Sequence, residues 1–188
     1  MCGIVGIFDT QSKREIDRQL LNELNLTQTH RGPDEGELYL EPGVGFGHRR
    51  LSIMDVSSGH QPLFNEDGSV VVIFNGEIYN YQELAKELVD CGHQFRTHCD
   101  TEVIVHGWEE WGEKCVEKFR GMFAFGLWDR NQNTLFVARD RLGIKPLYYA
   151  LLANGLFIFS SELKAIHAHP EFIKELIIFA ILSFRVLS

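Results

Sequence analysis

The chain carries little that would suit a nucleic acid, a membrane or an oxidising compartment. It has no basic block. Its 18 lysines and arginines stand against 26 acidic residues, for a formal charge of −8, so phosphate backbones and anionic bilayers are repelled on average. The longest apolar run beyond the N-terminus, Leu176 to Leu182, is seven residues. A membrane span needs about 18 or more, so a core or interface helix is expected there. The first residues lack a basic n-region and a long apolar h-region, because Asp9 and Lys13-Arg14-Glu15 interrupt the run early, and a cytoplasmic location is expected. Four cysteines, Cys2, Cys91, Cys99 and Cys115, are too sparse for a disulfide framework. No internal repeat or low-complexity segment is present. What remains is a 188-residue chain, 45% hydrophobic and 12% aromatic, long enough for a sizeable core in one domain or one and a fraction.

Periodicity divides the chain into short elements. Ile4 to Phe8 is a β-branched, apolar run that reads as a buried strand. Arg14 to Gln28 places Ile16, Leu20, Leu21 and Leu24 on one helical face, and the Gly-Pro step at Gly32-Pro33 breaks that helix. Two strands, Gly36 to Leu40 and Val44 to His48, are expected around a Pro42-Gly43 turn. Gly43-x-Gly45-x-Gly47 lacks the lysine and the strand-to-helix context of a phosphate loop. Val70 to Asn75 predicts another strand, interrupted at Asn75-Gly76. Asn80 with Glu83 opens a helix through Leu84, Leu88 and Cys91 to Gly92, and a further helix follows Asp100 and stops at Gly112. From Gly121 the pattern becomes antiparallel sheet, with a hairpin at Asn154-Gly155. Strands apolar on most positions need cover on both faces. The expected class is therefore α+β, a four-layer αββα sandwich of two antiparallel sheets.

Several residues have the chemistry of a site. If Met1 is removed, which the small Cys2 side chain permits, Cys2 holds a thiol and a free α-amine together. An α-amine titrates near ~7.7–8.0 and can accept the thiol proton. The alternative is that Cys2 is simply a small buried residue opening a strand. Asn75-Gly76 offers two kinds of oxyanion donor, a side-chain amide and an unhindered backbone N–H, or is only a turn. Arg50 can hold a carboxylate through two parallel hydrogen bonds, or lie solvated in a loop. Asp100 can pair with an ammonium, cap a helix, or both. Cys91, His93, His98 and Cys99 raise zinc, although their spacing matches no usual ligand pattern. A Cys/His pair built on Cys99 or Cys115 is not singled out by any histidine.

Eight segments occur in an order that resembles one family: Met1-Cys2-Gly3-Ile4, His30-Arg31-Gly32-Pro33-Asp34, Arg50-Leu51-Ser52-Ile53, Asn75-Gly76-Glu77-Ile78-Tyr79-Asn80, Asp100-Thr101-Glu102, Gly121-Met122-Phe123-Ala124-Phe125, Arg139 through Tyr148, and Ser161-Glu162-Leu163-Lys164-Ala165. The chain resembles the N-terminal glutaminase domain of glutamine-dependent asparagine synthetases, class II amidotransferases with the N-terminal-nucleophile hydrolase fold. The resemblance covers residues 1–170 and leaves 171–188 as the start of a linker helix. It implies that Cys2 attacks the amide of L-glutamine to give a thioester and ammonia, with Asn75 and Gly76 as oxyanion hole. It implies further that Arg50 takes the α-carboxylate, that Asp100 with the backbone near Gly76 and Glu77 takes the α-ammonium, and that Leu51, Ile53 and Met54 line the pocket. No metal or cofactor is expected in this chain. ATP and Mg belong to a synthetase domain or subunit carrying a Ser-Gly-Gly-x-Asp-Ser loop, which the 188 residues do not contain, so the chain alone is not expected to make asparagine. The related alternatives are an amidotransferase with another acceptor and a non-catalytic binding module. The apolar tail suggests docking to that second domain, or self-association as a homodimer.

Overall fold

The computed structural model describes residues 1–11, 14–51, 59–172 and 183–187. The chain begins with strand β1 (Gly3–Asp9), whose alternate side chains serve two cores. Ile4 and Phe8 enter one cluster of buried residues, Val5 and Ile7 another. Helix α1 (Arg18–Leu26) packs Leu21 and Leu24 onto the second of these faces. It starts later than the apolar spacing predicts. The carboxylate of Asp17 accepts from the amides of Gln19 (2.7 Å) and Leu20 (3.3 Å) and so caps the helix there, while Arg14 pairs with Asp9 at 3.0 Å.

The hairpin β2 (Glu35–Glu41) and β3 (Val44–Arg50) turns at Gly43, whose φ of 86° only glycine adopts without strain. The glycines of β3 do not form a phosphate loop. A Cβ on Gly45 would lie 2.9 Å from Ile16 and 3.1 Å from Leu21, and one on Gly47 3.0 Å from Asn25, so their bareness lets α1 lie close on the strand.

The remaining elements are β4 (Leu63–Phe64), β5 (Val70–Ile78), α2 (Tyr81–Asp90), α3 (Glu102–Trp111), a 3₁₀ turn, α4 (Cys115–Lys118), β6 (Gly121–Asp129), β7 (Thr134–Arg139), β8 (Tyr148–Leu151), β9 (Leu156–Ser160), α5 (Leu163–His167) and β10 (Ser183–Leu187). The strands form two antiparallel five-stranded sheets in the orders β2-β3-β1-β9-β8 and β10-β7-β6-β5-β4. Their inner faces meet around Phe46, Ile73, Ala124, Phe157 and Phe159, while α1 and α5 cover one outer face and α2 and α3 the other. This is the αββα sandwich that two-sided strands require. No helix among the described residues is long and apolar enough to cross a membrane.

Two expectations change. Strand β5 does not stop at Asn75-Gly76 but continues to Ile78, with Asn75 opposite Ala124 and Gly76 opposite Phe123. A Cβ on Gly76 would run into the carbonyl oxygen of Met122 and approach Phe123 Cα to 2.7 Å. Glycine here permits strand packing and makes no turn. At the other end, residues 183–187 form a strand on β7 instead of continuing a linker helix. They satisfy the edge that β7 would otherwise leave unpaired. The core-helix expectation for Leu176 to Leu182 lies outside the described residues.

One buried contact ties the sheets together. His48 on β3 is 1% exposed, and its Nε2 lies 3.1 Å from the carbonyl oxygen of Phe74 on β5. Burial pushes its pKa down to about 4 despite that bond. Because the folded pKa lies below the unfolded value, the full contribution is present above about pH 6.5 and is lost as pH falls toward 4. The loss is on the order of 3 kcal/mol. Denaturant titrations of wild type and His48→Gln should show it as a stability difference that shrinks across that window; a pH-independent difference would contradict the buried neutral imidazole.

Candidate active site

Strand parity and register assemble the site at one end of the sandwich. Ile4 and Phe8 face between the sheets, so Cys2, of the same parity, faces that way at the mouth of β1. Its backbone is held. Arg31 Nε donates to the Cys2 carbonyl at 2.9 Å. One residue pair further in, the Ile4 amide donates to Ser161 Oγ at 3.1 Å and the Ser161 amide donates to the Ile4 carbonyl at 2.9 Å. In the β1–β3 register Gly3 lies opposite Arg49, which sets Arg50 across from Cys2. Cys2, Arg50, Leu51, Asn75, Gly76, Glu77 and Asp100 all line one cavity of about 460 Å³.

The edge of β5 supplies donors at a period of two. Tyr79 donates to the Arg120 carbonyl, so the positions alternating with it, Phe74, Gly76 and Ile78, turn their amides away from β6. Phe74 N–H is taken by Gln61 Oε1 at 2.6 Å and Ile78 N–H by Asp100 Oδ2 at 2.8 Å. The amide between them, on Gly76, has no partner among the described residues. Beside it Asn75 is 1% exposed, and its side-chain Nδ2 is likewise buried without a hydrogen bond. A buried unsatisfied donor costs roughly 1–3 kcal/mol, so the Asn75 amide, beside the open Gly76 N–H at the cavity, marks a place made for an oxygen.

Charged groups of both signs line the cavity. Arg50 is buried, and its guanidinium lies 3.1 Å from Glu35 Oε1, with His60 Nδ1 3.0 Å from the other Glu35 oxygen. Burial pushes the Glu35 carboxyl up, but the hydrogen bonds from His60 and Arg50 outweigh it and hold it below the ordinary range. Asp100 is not the helix cap. Thr101 occupies that position, and the Asp100 carboxylate is turned to Ile78 instead. Burial raises its pKa to about 6, with the Glu77 charge adding to it, against the hydrogen bond from Ile78.

Of the residues singled out in the sequence, Ile53 and Met54 lie outside the described residues. No three of Cys91, His93, His98 and Cys99 bring their ligand atoms together among the described residues, and the zinc reading on that set fails. The other buried thiols are poor nucleophiles: burial pushes Cys115 up to about 12 and raises Cys99 as well. Sequence reasoning missed Glu35, Gln61, Thr101, Met122, Ile144 and Lys145. The last two reach the cavity because the Asp140 carboxylate accepts from the amides of Phe123, Ile144 and Lys145, folding that loop against β6. Thr101, Met122, Ile144 and Lys145 lie inside segments that carry the family resemblance, and Glu35 adjoins the His30-to-Asp34 segment; Gln61 had no local signal.

A partly buried thiol at the start of an inner strand, facing an unsatisfied donor pair in a two-sheet sandwich, defines an N-terminal-nucleophile type of amidotransferase fold. The chain belongs to the glutamine amidotransferase domain family, which matches residues 1–186. It is 43% identical over 173 residues to asparagine synthetase [glutamine-hydrolyzing] 3 of Bacillus subtilis (strain 168), covering 91% of this chain and 28% of that protein. It is 46% identical to asparagine synthetase 2 of the same organism, of which it covers 23%, and 42% identical to asparagine synthetase 2 of Lotus japonicus, of which it covers 29%. The chain thus spans under a third of these relatives. Among solved structures, the glutamine phosphoribosylpyrophosphate amidotransferase of B. subtilis, complexed with ADP and GMP, shares the fold with a TM-score of 0.69 at 22% identity, over 89% of this chain and 43% of that one.

Proposed function

We propose that the chain is the ammonia-producing half of a glutamine-dependent asparagine synthetase. One observation carries this reading: Cys2 shares a cavity with the unsatisfied donors of Asn75 and Gly76 and with the charged side chains of Arg50 and Asp100. With Met1 removed, the Cys2 α-amine takes the thiol proton and Sγ attacks the amide carbon of glutamine. The carbonyl oxygen becomes an oxyanion held by Asn75 Nδ2 and the Gly76 amide. The C–N bond then breaks, the leaving nitrogen takes the proton from the α-amine, and ammonia departs from a γ-glutamyl thioester. Water adds to the thioester, the thiolate leaves and is reprotonated, and glutamate is released. Arg50 orients the substrate α-carboxylate and Asp100 the α-ammonium, which places the amide at Sγ.

The acceptor in this reading is aspartate, activated with ATP and Mg²⁺ by a synthetase domain or partner subunit. The glycines at 45 and 47 do not argue for a phosphate site in this chain, since they make room for α1.

The test is the intact mass of untagged protein before and after treatment with a glutamine analogue bearing an electrophilic side chain. Loss of Met1 with one adduct mapping to Cys2 is expected; retained Met1 or no adduct would leave a binding module. The same reading sets a pH dependence. Asp100 must be ionised to pair with an ammonium, and its free-state pKa is about 6. Below that value the KM for glutamine should rise by about tenfold per pH unit. A KM flat from pH 7 to 5 would remove Asp100 from the binding role.

A further inference from the structure

Away from the glutamine cavity, on the outer side of the second sheet, four side chains converge without a role in the proposed chemistry. Glu66 follows β4, His93 follows α2, and His106 and Glu109 lie one turn apart on α3. One ligand atom from each lies within 4.8 Å of every other. His106 Nδ1 is 3.3 Å from Glu109 Oε2 and 3.5 Å from Glu66 Oε2, and His93 Nδ1 is 3.8 Å from Glu109 Oε2.

The surroundings of each group resemble those of a metal ligand more than those of a surface ion pair. The outer carboxylate oxygens are already engaged: Glu66 Oε1 accepts from the Gln94 amide at 3.1 Å and Glu109 Oε1 from Asn65 Nδ2 at 2.7 Å. That leaves each Oε2 on the imidazole side. Each histidine has a further carboxylate behind its other nitrogen, Glu102 Oε1 at 3.5 Å from His106 Nε2 and Glu110 Oε2 at 3.5 Å from His93 Nε2. Metal-bound histidines are usually oriented in this way, with a carboxylate on the far N–H. The His106 side chain is 1% exposed, and its Nε2 is buried with no hydrogen bond among the described residues. An imidazole ligating through Nδ1 carries its proton on Nε2 and would close the gap to Glu102. Glu102 is itself fixed, accepting from the amides of Arg96 and Thr97 and from the Thr97 hydroxyl.

We propose that Glu66, His93, His106 and Glu109 form a four-ligand site for a divalent cation of the zinc class. Two nitrogens and two carboxylate oxygens suit tetrahedral zinc, whose ligands lie near ~2.0–2.2 Å from the metal, and the separations within 4.8 Å let the four close around one ion. With four protein ligands the site is structural. It ties α3 to the loop after β4 and to the linker after α2, the linker that ends at Asp100.

The experiment is titration of chelator-treated purified protein with Zn²⁺, and with Co²⁺ as a spectroscopic substitute. One equivalent of each is expected to bind, Co²⁺ with the absorption of a four-coordinate ion, and Zn²⁺ should raise the thermal midpoint. Glu66→Gln and Glu109→Gln, isosteric changes at exposed positions, should each lose that equivalent, and Glu102→Gln should weaken it about 10- to 100-fold. Far-UV circular dichroism verifies the fold of each variant. Absence of a stoichiometric four-coordinate Co²⁺ spectrum in wild type would overturn the proposal, as would an equivalent retained by both Gln variants. These readouts need no glutamine, so they stand whether or not the chain hydrolyses it.

Discussion

Replacing Cys2 with alanine is expected to lower glutamine hydrolysis by at least about 10⁴-fold while leaving stability nearly unchanged, as removal of a nucleophile does in other covalent hydrolases. Alanine is also small, so Met1 is still removed and the α-amine remains; what is lost is the thiol alone. Cys2 is only partly buried, and the neighbouring hydrogen bonds, from Arg31 to its carbonyl and between Ile4 and Ser161, do not involve its side chain. The fold therefore has no need of the sulfur. Ammonia release assayed beside a denaturation curve separates the two effects. A variant with appreciable activity would move the nucleophile elsewhere, and the high pKa that burial imposes on Cys99 and Cys115 leaves few places for it.

The second large effect is at Asn75. Asn75→Ala should reduce kcat by about 10²–10³-fold, equivalent to ~2.7–4 kcal/mol of transition-state stabilisation, with little change in KM. Its side-chain Nδ2 is buried without a partner among the described residues, so removing the amide also removes an unsatisfied donor. Stability should hold or rise as activity falls. That opposition distinguishes a group placed for a developing charge from one placed for packing. Equal loss of activity and stability in steady-state kinetics and calorimetry would make Asn75 a structural residue. Gly76 is no substitute for this test, because any side chain there meets Met122 and Phe123 and disturbs both functions together.

Much of the architecture was legible in the chain itself. The apolar run Ile4 to Phe8 is the buried strand it reads as, and the turns at Gly43 and Gly155 lie where the sequence placed them, each with positive φ. These features are local: a strand's apolar run and a turn's handedness depend on residues a few positions apart. The linear pattern went astray where a tertiary contact outweighed it. Asp17 shortened α1, the tight approach of β6 made Gly76 a strand residue, and the amide of Ile78 drew Asp100 away from the helix cap. The zinc alternative raised by Cys91, His93, His98 and Cys99 had the same weakness, since spacing along the chain does not say which side chains meet.

By itself, then, the sequence determined the layers, the antiparallel strands and the family, and it singled out Cys2 as the candidate nucleophile. The tertiary structure decided what surrounds Cys2. Register set Arg50 opposite Cys2 and Glu35 opposite Arg50, and carried His48 across to Phe74. Strand parity left the Gly76 amide open between two neighbours that are capped by Gln61 and Asp100. The physical reason is separation. Ile4 and Ser161 are 157 positions apart yet share a hydrogen bond, and both the desolvation that shifts Asp100 and the donor left unpaired at Asn75 exist only once such distant segments have closed around them.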